Sequence, residues 1–223
     1  MFINGLFSIL TISLTKEVAL TEYLPIISSF ILAFSFMPML NKVRKNRSVS
    51  GLSLLMMSFG VAQSIYFIAF NLFFERYYMV LPFVVTGMLS SLILYYFLRY
   101  DAAAKQRKQL LYMLLFSVAP FSLLASPYVD ADSLLIALTY VGLVMSSIRV
   151  MPQTYKTLRS GDVSNLSARY FMLQLLAGCF GLTAELYMAA PSVSHILNFV
   201  MILLTNAAQL ACIQYYRHRP AMA

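Results

Sequence analysis

The stretch "VMPQTYKTLRSGDVSNLS", residues 150–167, closes a long apolar run with a proline and a glutamine and then sets lysine and arginine directly behind them. A soluble core helix rarely ends this way, whereas a membrane helix that bends and stops at a basic surface does. The rest of the chain agrees. Of its 223 residues 61% are hydrophobic and only 11% charged, where an average soluble domain carries about a quarter charged residues. Mean hydropathy is +0.77. So few charges cannot cover a soluble globule. The net charge of +8 raises nucleic acid as a partner. Its placement argues against that, because the basic residues form short clusters between apolar runs, with no basic face interleaved with exposed aromatics. The composition reads as an integral, multi-pass membrane protein whose first partner is the lipid bilayer.

Charge-free windows run 23–41, 48–74, 77–98, 109–129, 133–148, 170–184 and 186–216. A span needs about 20 apolar residues. The fifth window reaches that length only through Arg149 to about Tyr155, and the sixth only from about Leu166 to Tyr187, including Glu185. The expectation is seven helices, the fifth and sixth each carrying a charge. Residues 1–15, MFINGLFSILTISLT, lack the basic start and small-residue cleavage site of a signal peptide and read as an interfacial segment or an extension of the first helix. Cys179 and Cys212 fall inside predicted spans and read as small core residues rather than a disulfide or metal pair.

The loops set an orientation. Lys42, Arg44, Lys45, Arg47, Arg99, Lys105, Arg107, Lys108, Lys156, Arg159, Arg169, Arg217 and Arg219 lie on alternate loops and the C-terminus. The positive-inside rule places that set in the cytoplasm, so seven spans predict an outside N-terminus and a cytoplasmic C-terminus.

An internal repeat underlies this pattern. "FMPMLNKVRKNRSVSGLS" (36–53) aligns without a gap to residues 150–167 at an offset of 114. Met37/Met151, Pro38/Pro152, Lys42/Lys156, Val49/Val163, Ser50/Ser164, Leu52/Leu166 and Ser53/Ser167 are identical. The offset maps helices 1–3 onto helices 5–7 and leaves helix 4, about 110–126, without a counterpart. The predicted fold is all-α: two three-helix repeats joined by a linker helix, parallel because the linker is a single helix. The expected segments are an extension (1–19), a first repeat (20–100), the linker (101–130), a second repeat (131–216) and a tail (217–223).

A proline–glutamine pair ending the first helix of a three-helix unit, followed by a basic loop and a Gly-Leu-Ser-like helix start, resembles the PQ-loop family. That family includes the SWEET sugar facilitators, the half-size SemiSWEETs, the cystinosin-like exporters and, more distantly, the KDEL receptors. The likeness covers about residues 20–216. The second motif, Pro152-Gln153, is intact, whereas the first reads Pro38-Met39. The resemblance implies a seven-helix transporter in which paired prolines act as hinges for alternating access. The residues suggest the same: proline inside a helix removes a backbone hydrogen bond, and Gln153 is placed to partner the freed carbonyl. The plainer reading is that each proline merely ends its helix.

Polar residues within spans mark helix contacts or a water-filled path. Gln174, Gly178, Gly181 and Glu185 share one face of helix 6, and Gly60, Ser64, Phe67 and Asn71 the matching face of helix 2. Asn198 and Thr205 lie on helix 7 with Asn206 and Gln209. The candidate cavity is Ser64, Phe67, Asn71, Gln174, Gly178, Asn198 and Thr205, against close packing as the plainer reading. Tyr66 and Phe67 offer a stacking surface, or simply core. Arg149 either points into the path, where it could hold a carboxylate or phosphate, or snorkels to the cytoplasm. Glu185 is an outer gate or an interfacial residue, and His195 near a helix start is structural.

Architecture favours a sugar as the solute, but the residues that SWEETs use are missing. The chain has no tryptophan, and the usual asparagine positions fall near Phe199 or Asn198 and near Val85. The aspartate of proton-coupled cystinosin-like members aligns with Gln174, which cannot titrate. The expectation is therefore a facilitator of a small polar solute, with a cystinosin-like amino-acid transporter or a KDEL-type receptor as alternatives. No cofactor, metal site or catalytic grouping is expected, and a homo-oligomer stays open.

Overall fold

The computed structural model describes residues 23–100, 112, 115, 117–125, 128–188 and 191–217. The expectations for residues 1–19, for the start of the linker helix and for residues 218–223 lie outside these. Every regular element among the described residues is helical: α1 (23–34), α2 (Phe36–Asn46), α3 (Leu54–Phe73), α4 (Tyr77–Tyr100), a 3-10 helix (Ala119–Ala125), α5 (Ala131–Ile148), α6 (Met151–Ser160), α7 (Ala168–Leu186) and α8 (Val193–Arg217). With α1–α2 and α5–α6 each taken as one interrupted rod, five stretches are long and apolar enough to cross a membrane: Tyr23–Asn46, Leu54–Phe73, Met79–Tyr100, Ala131–Ser160 and Val193–Arg217. The 19-residue α7 packs most closely on α8 and bears Arg169 and Glu185 near its two ends. The predicted fourth helix does not stay α-helical to 126. It tightens into the 3-10 form from Ala119, where Pro120 withdraws a backbone donor.

The backbone repeats at the offset read from the sequence. Helices α2 and α6 end at Asn46 and Ser160, and the next residues, Arg47 and Gly161, are both left-handed, with φ of 48° and 65°. That is the usual way to stop a helix, although a non-glycine such as Arg47 adopts it less readily. Ser53 and Ser167 then cap α3 and α7, their side chains accepting from the backbone N–H of Met56 and Tyr170. Each of these pairs lies 114 residues apart.

The interruptions fall at Ser35 in the first rod and at Arg149–Val150 in the second. Pro38 is the third residue of α2 and Pro152 the second of α6. The backbone stays in the right-handed helical region through Ser35 and through Arg149 and Val150, so each rod runs on across its break and each proline interrupts the hydrogen-bond ladder one turn before it.

The main core gathers Phe36, Met39 and Val43 from α2 with Met56 and Met57 from α3, Phe97 from α4, and Val150, Leu166, Tyr170 and Phe171 from the other half. A smaller cluster of Ala62, Tyr66, Leu138 and Met145 joins α3 to α5. Large apolar side chains such as Leu81, Met88, Val144, Met172 and Leu204 are exposed, as suits a surface facing lipid.

Candidate functional site

Both interruptions meet at one glutamine. Gln174 Nε2 donates to Ser35 Oγ at 2.5 Å, and Arg149 Nη2 donates to Gln174 Oε1 at 2.7 Å. One amide thus ties the break of the first rod to the break of the second. Ser35 Oγ donates on to the carbonyl of Leu32. The guanidinium lies 5.3 Å from the centre of the Phe36 ring, which stacks edge-on against Tyr170 at 5.1 Å.

Arg149 does not snorkel: only 1% of it is exposed. Taking such an ion out of water costs several kcal/mol, against about 1.5–3 kcal/mol for one charged hydrogen bond and up to about 2 kcal/mol for a desolvated cation–π contact. Among the described residues its Nε and Nη1 have no hydrogen-bond partner, and neither does the buried Tyr170 hydroxyl. The charge is left short of partners.

The motif glutamine does something other than repair a helix. Gln153, fully buried, donates from Nε2 to the carbonyl of Gly51 at 2.7 Å and accepts at Oε1 from the backbone N–H of Ser53, also at 2.7 Å. It therefore seals the loop between α2 and α3, across the two halves, and not the carbonyl freed by Pro152. A further bond to Thr157 Oγ1, which also accepts from Gln209 Nε2 at 3.0 Å, extends the network to α8. The first-half counterpart, Met39, is packed in apolar core and can offer no such bonds.

Around this seal the halves exchange lysines. Lys42 Nζ donates to the carbonyl of Leu166 at 2.7 Å and Lys156 Nζ to that of Leu52 at 2.6 Å. Asn165 bonds Asn46 and the carbonyl of Ser50, and the Ser50 hydroxyl donates to Asp162. Burial alone would raise the Asp162 carboxyl, but hydrogen bonds from Ser50 and Ser164 and the nearby Lys156 charge outweigh it and hold the group below its ordinary value.

The other sequence-chosen residues divide. Gln174, Gly178, Gly181 and Glu185 form one buried face. The glycines serve packing, since a Cβ at Gly178 would sit 3.0 Å from Leu203 and one at Gly181 only 2.2 Å from the Phe199 ring. Ser64, Asn71 and Thr205 bond carbonyls of their own helices. Phe67 lies against Phe83, and Tyr66 is core. Asn198 accepts from Ser147, joining α5 to α8. Glu185 is 3.4 Å from His195 and accepts from the Ser192 N–H, so it does not meet Arg149. Cys179 is exposed rather than core, because it sits one residue around the helix from the buried face, and Cys212 is half-buried. An open, apolar groove of about 700 Å³ between α3 and α5 is lined by residues such as Phe59, Tyr140 and Ile148, and holds none of these polar groups.

Residues 134–184 match the family model of the PQ loop repeat. The second half of the chain thus carries a PQ loop repeat. A solved eukaryotic SWEET transporter superposes with a TM-score of 0.60 at 15% identity, covering 91% of this chain and 97% of that one. No curated protein matches the sequence. In this SWEET-like frame, sequence reasoning passed over Ser35, Thr157 and the crossed lysines. The repeat held a signal for two of these: Lys42 and Lys156 are an identical pair, and one more aligned residue pairs Ser35 with Arg149.

Proposed function

We propose that the protein is a transporter that carries a small polar solute across a membrane by alternating access. The observation that carries this reading is the Gln174 bridge, a buried polar junction where both interrupted rods and both halves meet. Buried polar and charged groups inside a bundle mark solute paths more often than stability devices. The likeness to a SWEET transporter supports the same reading and favours a non-catalytic role.

The full proposal keeps the seven-helix, three-one-three arrangement, with repeats at 20–100 and 131–216, the linker at 101–130, an outside N-terminus and a cytoplasmic C-terminus. The end closed by Gln153 and the crossed lysines is then the cytoplasmic one. Opening it means separating α2 and α6 about the breaks that precede Pro38 and Pro152. A sugar is favoured by architecture alone.

The test is uptake into proteoliposomes of labelled sugars and amino acids, with and without a pH gradient. Saturable uptake indifferent to the gradient is expected. Gradient-driven amino-acid movement would favour the cystinosin-like alternative and direct attention to Glu185. Binding without flux of any solute would overturn the transporter reading in favour of a receptor.

A further inference from the structure

We infer that Arg149 is the anchor for a carboxylate on the solute, with Gln174 as the neutral group that the carboxylate displaces. The inference rests on the transporter reading above and narrows its substrate class.

Among the described residues Arg149 and Glu185 are the two buried charged side chains. They cannot neutralise each other. Glu185 stands 11 residues beyond Gln174 on α7, about 16 Å along the axis at 1.5 Å per residue, and its carboxylate is engaged by His195 and the Ser192 N–H. Around the Phe36 ring the inventory is lopsided. Nε and Nη1 of Arg149, which carry three of the five guanidinium N–H bonds, are unpartnered, and so is the Tyr170 hydroxyl. Among the described residues the single acceptor serving the guanidinium is the amide oxygen of Gln174. A site rich in donors and poor in acceptors suits a group that only accepts. A planar guanidinium matches a planar carboxylate in shape and can bind it through two parallel N–H···O bonds between opposite charges, where the Gln174 amide offers one neutral oxygen.

The exchange has a mechanical result. Gln174 holds Arg149 with its oxygen and Ser35 with its nitrogen, so it joins the breaks of the two rods. A solute carboxylate that takes the guanidinium releases one end of that bridge. Arrival of solute thereby loosens the contact between the halves at the point where each rod is interrupted.

The experiment uses matched pairs: glucuronate with glucose, lactate with 1,2-propanediol, and alanine with alaninamide, alongside inorganic phosphate. Thermal stabilisation of the purified full chain and uptake into proteoliposomes are read in parallel, for the native protein, Arg149→Gln and Arg149→Lys. At least one carboxylate is expected to be bound and carried ten-fold or more better than its partner lacking the carboxylate. That preference should vanish in Arg149→Gln and survive in part in Arg149→Lys, the latter serving as the folded control. Stabilisation by a carboxylate without flux, lost in Arg149→Gln, keeps the anchor and overturns the transporter. Flux without preference for the carboxylate member of each pair keeps the transporter and overturns the anchor. Stabilisation by phosphate alone also overturns the carboxylate assignment, and neither binding nor flux across the panel overturns both readings.

Discussion

The two interrupted rods share a register but not a chemistry. Each breaks three residues before a proline, ends at the same offset in a left-handed residue and lends one lysine to the opposite half. At the break itself the first rod has Ser35 and the second Arg149; one residue past the proline the first has Met39 and the second Gln153. Backbone geometry and the crossed lysines are thus kept in duplicate, while the side chains at the break and behind the proline differ between the copies. On the transport reading proposed above, matching backbones let the two halves close on each other while an asymmetric solute is gripped better from one side.

Four substitutions or conditions test that division, beginning with the largest expected effect. Gln174→Leu leaves the Arg149 guanidinium with no hydrogen-bond partner and frees Ser35, so a loss of about 2–4 kcal/mol is expected, read as a fall in unfolding temperature and accompanied by abolished or respecified uptake. Unchanged stability and uptake would return Gln174 to ordinary packing.

Gln153→Met copies the first half into the second. It strands the Ser53 N–H and the Gly51 carbonyl, at a cost of about 1–3 kcal/mol, and should expose the Ser48–Ser53 loop to protease; equal protection would show that the lysines alone close this end. Pro152→Ala returns a backbone donor to the ladder of the second rod and should leave folding intact, yet it should reduce uptake several-fold if the break is a hinge. Full uptake would remove the hinge.

The smallest effect concerns Asp162. Its folded-state pKa lies below the ordinary 3.8, so its contribution is present above that pH and lost as pH falls through the lower folded value. Loop protection should weaken in that acidic window, and Ser50→Ala should flatten the step. A step of undiminished size in Ser50→Ala would assign it to another group.

Much of this was legible in the sequence. Charge-free windows located the rods, the 114-residue offset located the duplicated caps, and the spacing of Gln174, Gly178, Gly181 and Glu185 located a face that is buried. Arg149 was harder. Whether a long cation reaches for water or stays inside depends on Phe36 and Gln174, which come from segments far away in sequence and were not adjacent to it in any pattern. Gln153 was seen but given the wrong partner, since backbone groups of Gly51 and Ser53 carry no sequence mark of where they will lie. The break in each rod was visible as a proline, whose missing N–H interrupts the ladder about one turn before it. Cys179 shows the limit of burial by span: inside a bilayer, half the circumference of an apolar helix faces lipid.

The crossed lysines have a consequence for how the chain came to be one piece. Lys42 reaches Leu166 and Lys156 reaches Leu52, so each half presents the same cation and the same acceptor to the other. That is the signature of an isologous interface, in which one patch is its own complement. Two copies of a single half could make the same pair of bonds by a twofold rotation, and tethering them in one chain frees each copy to diverge at positions 35 and 39 without forfeiting the contact that brings them together.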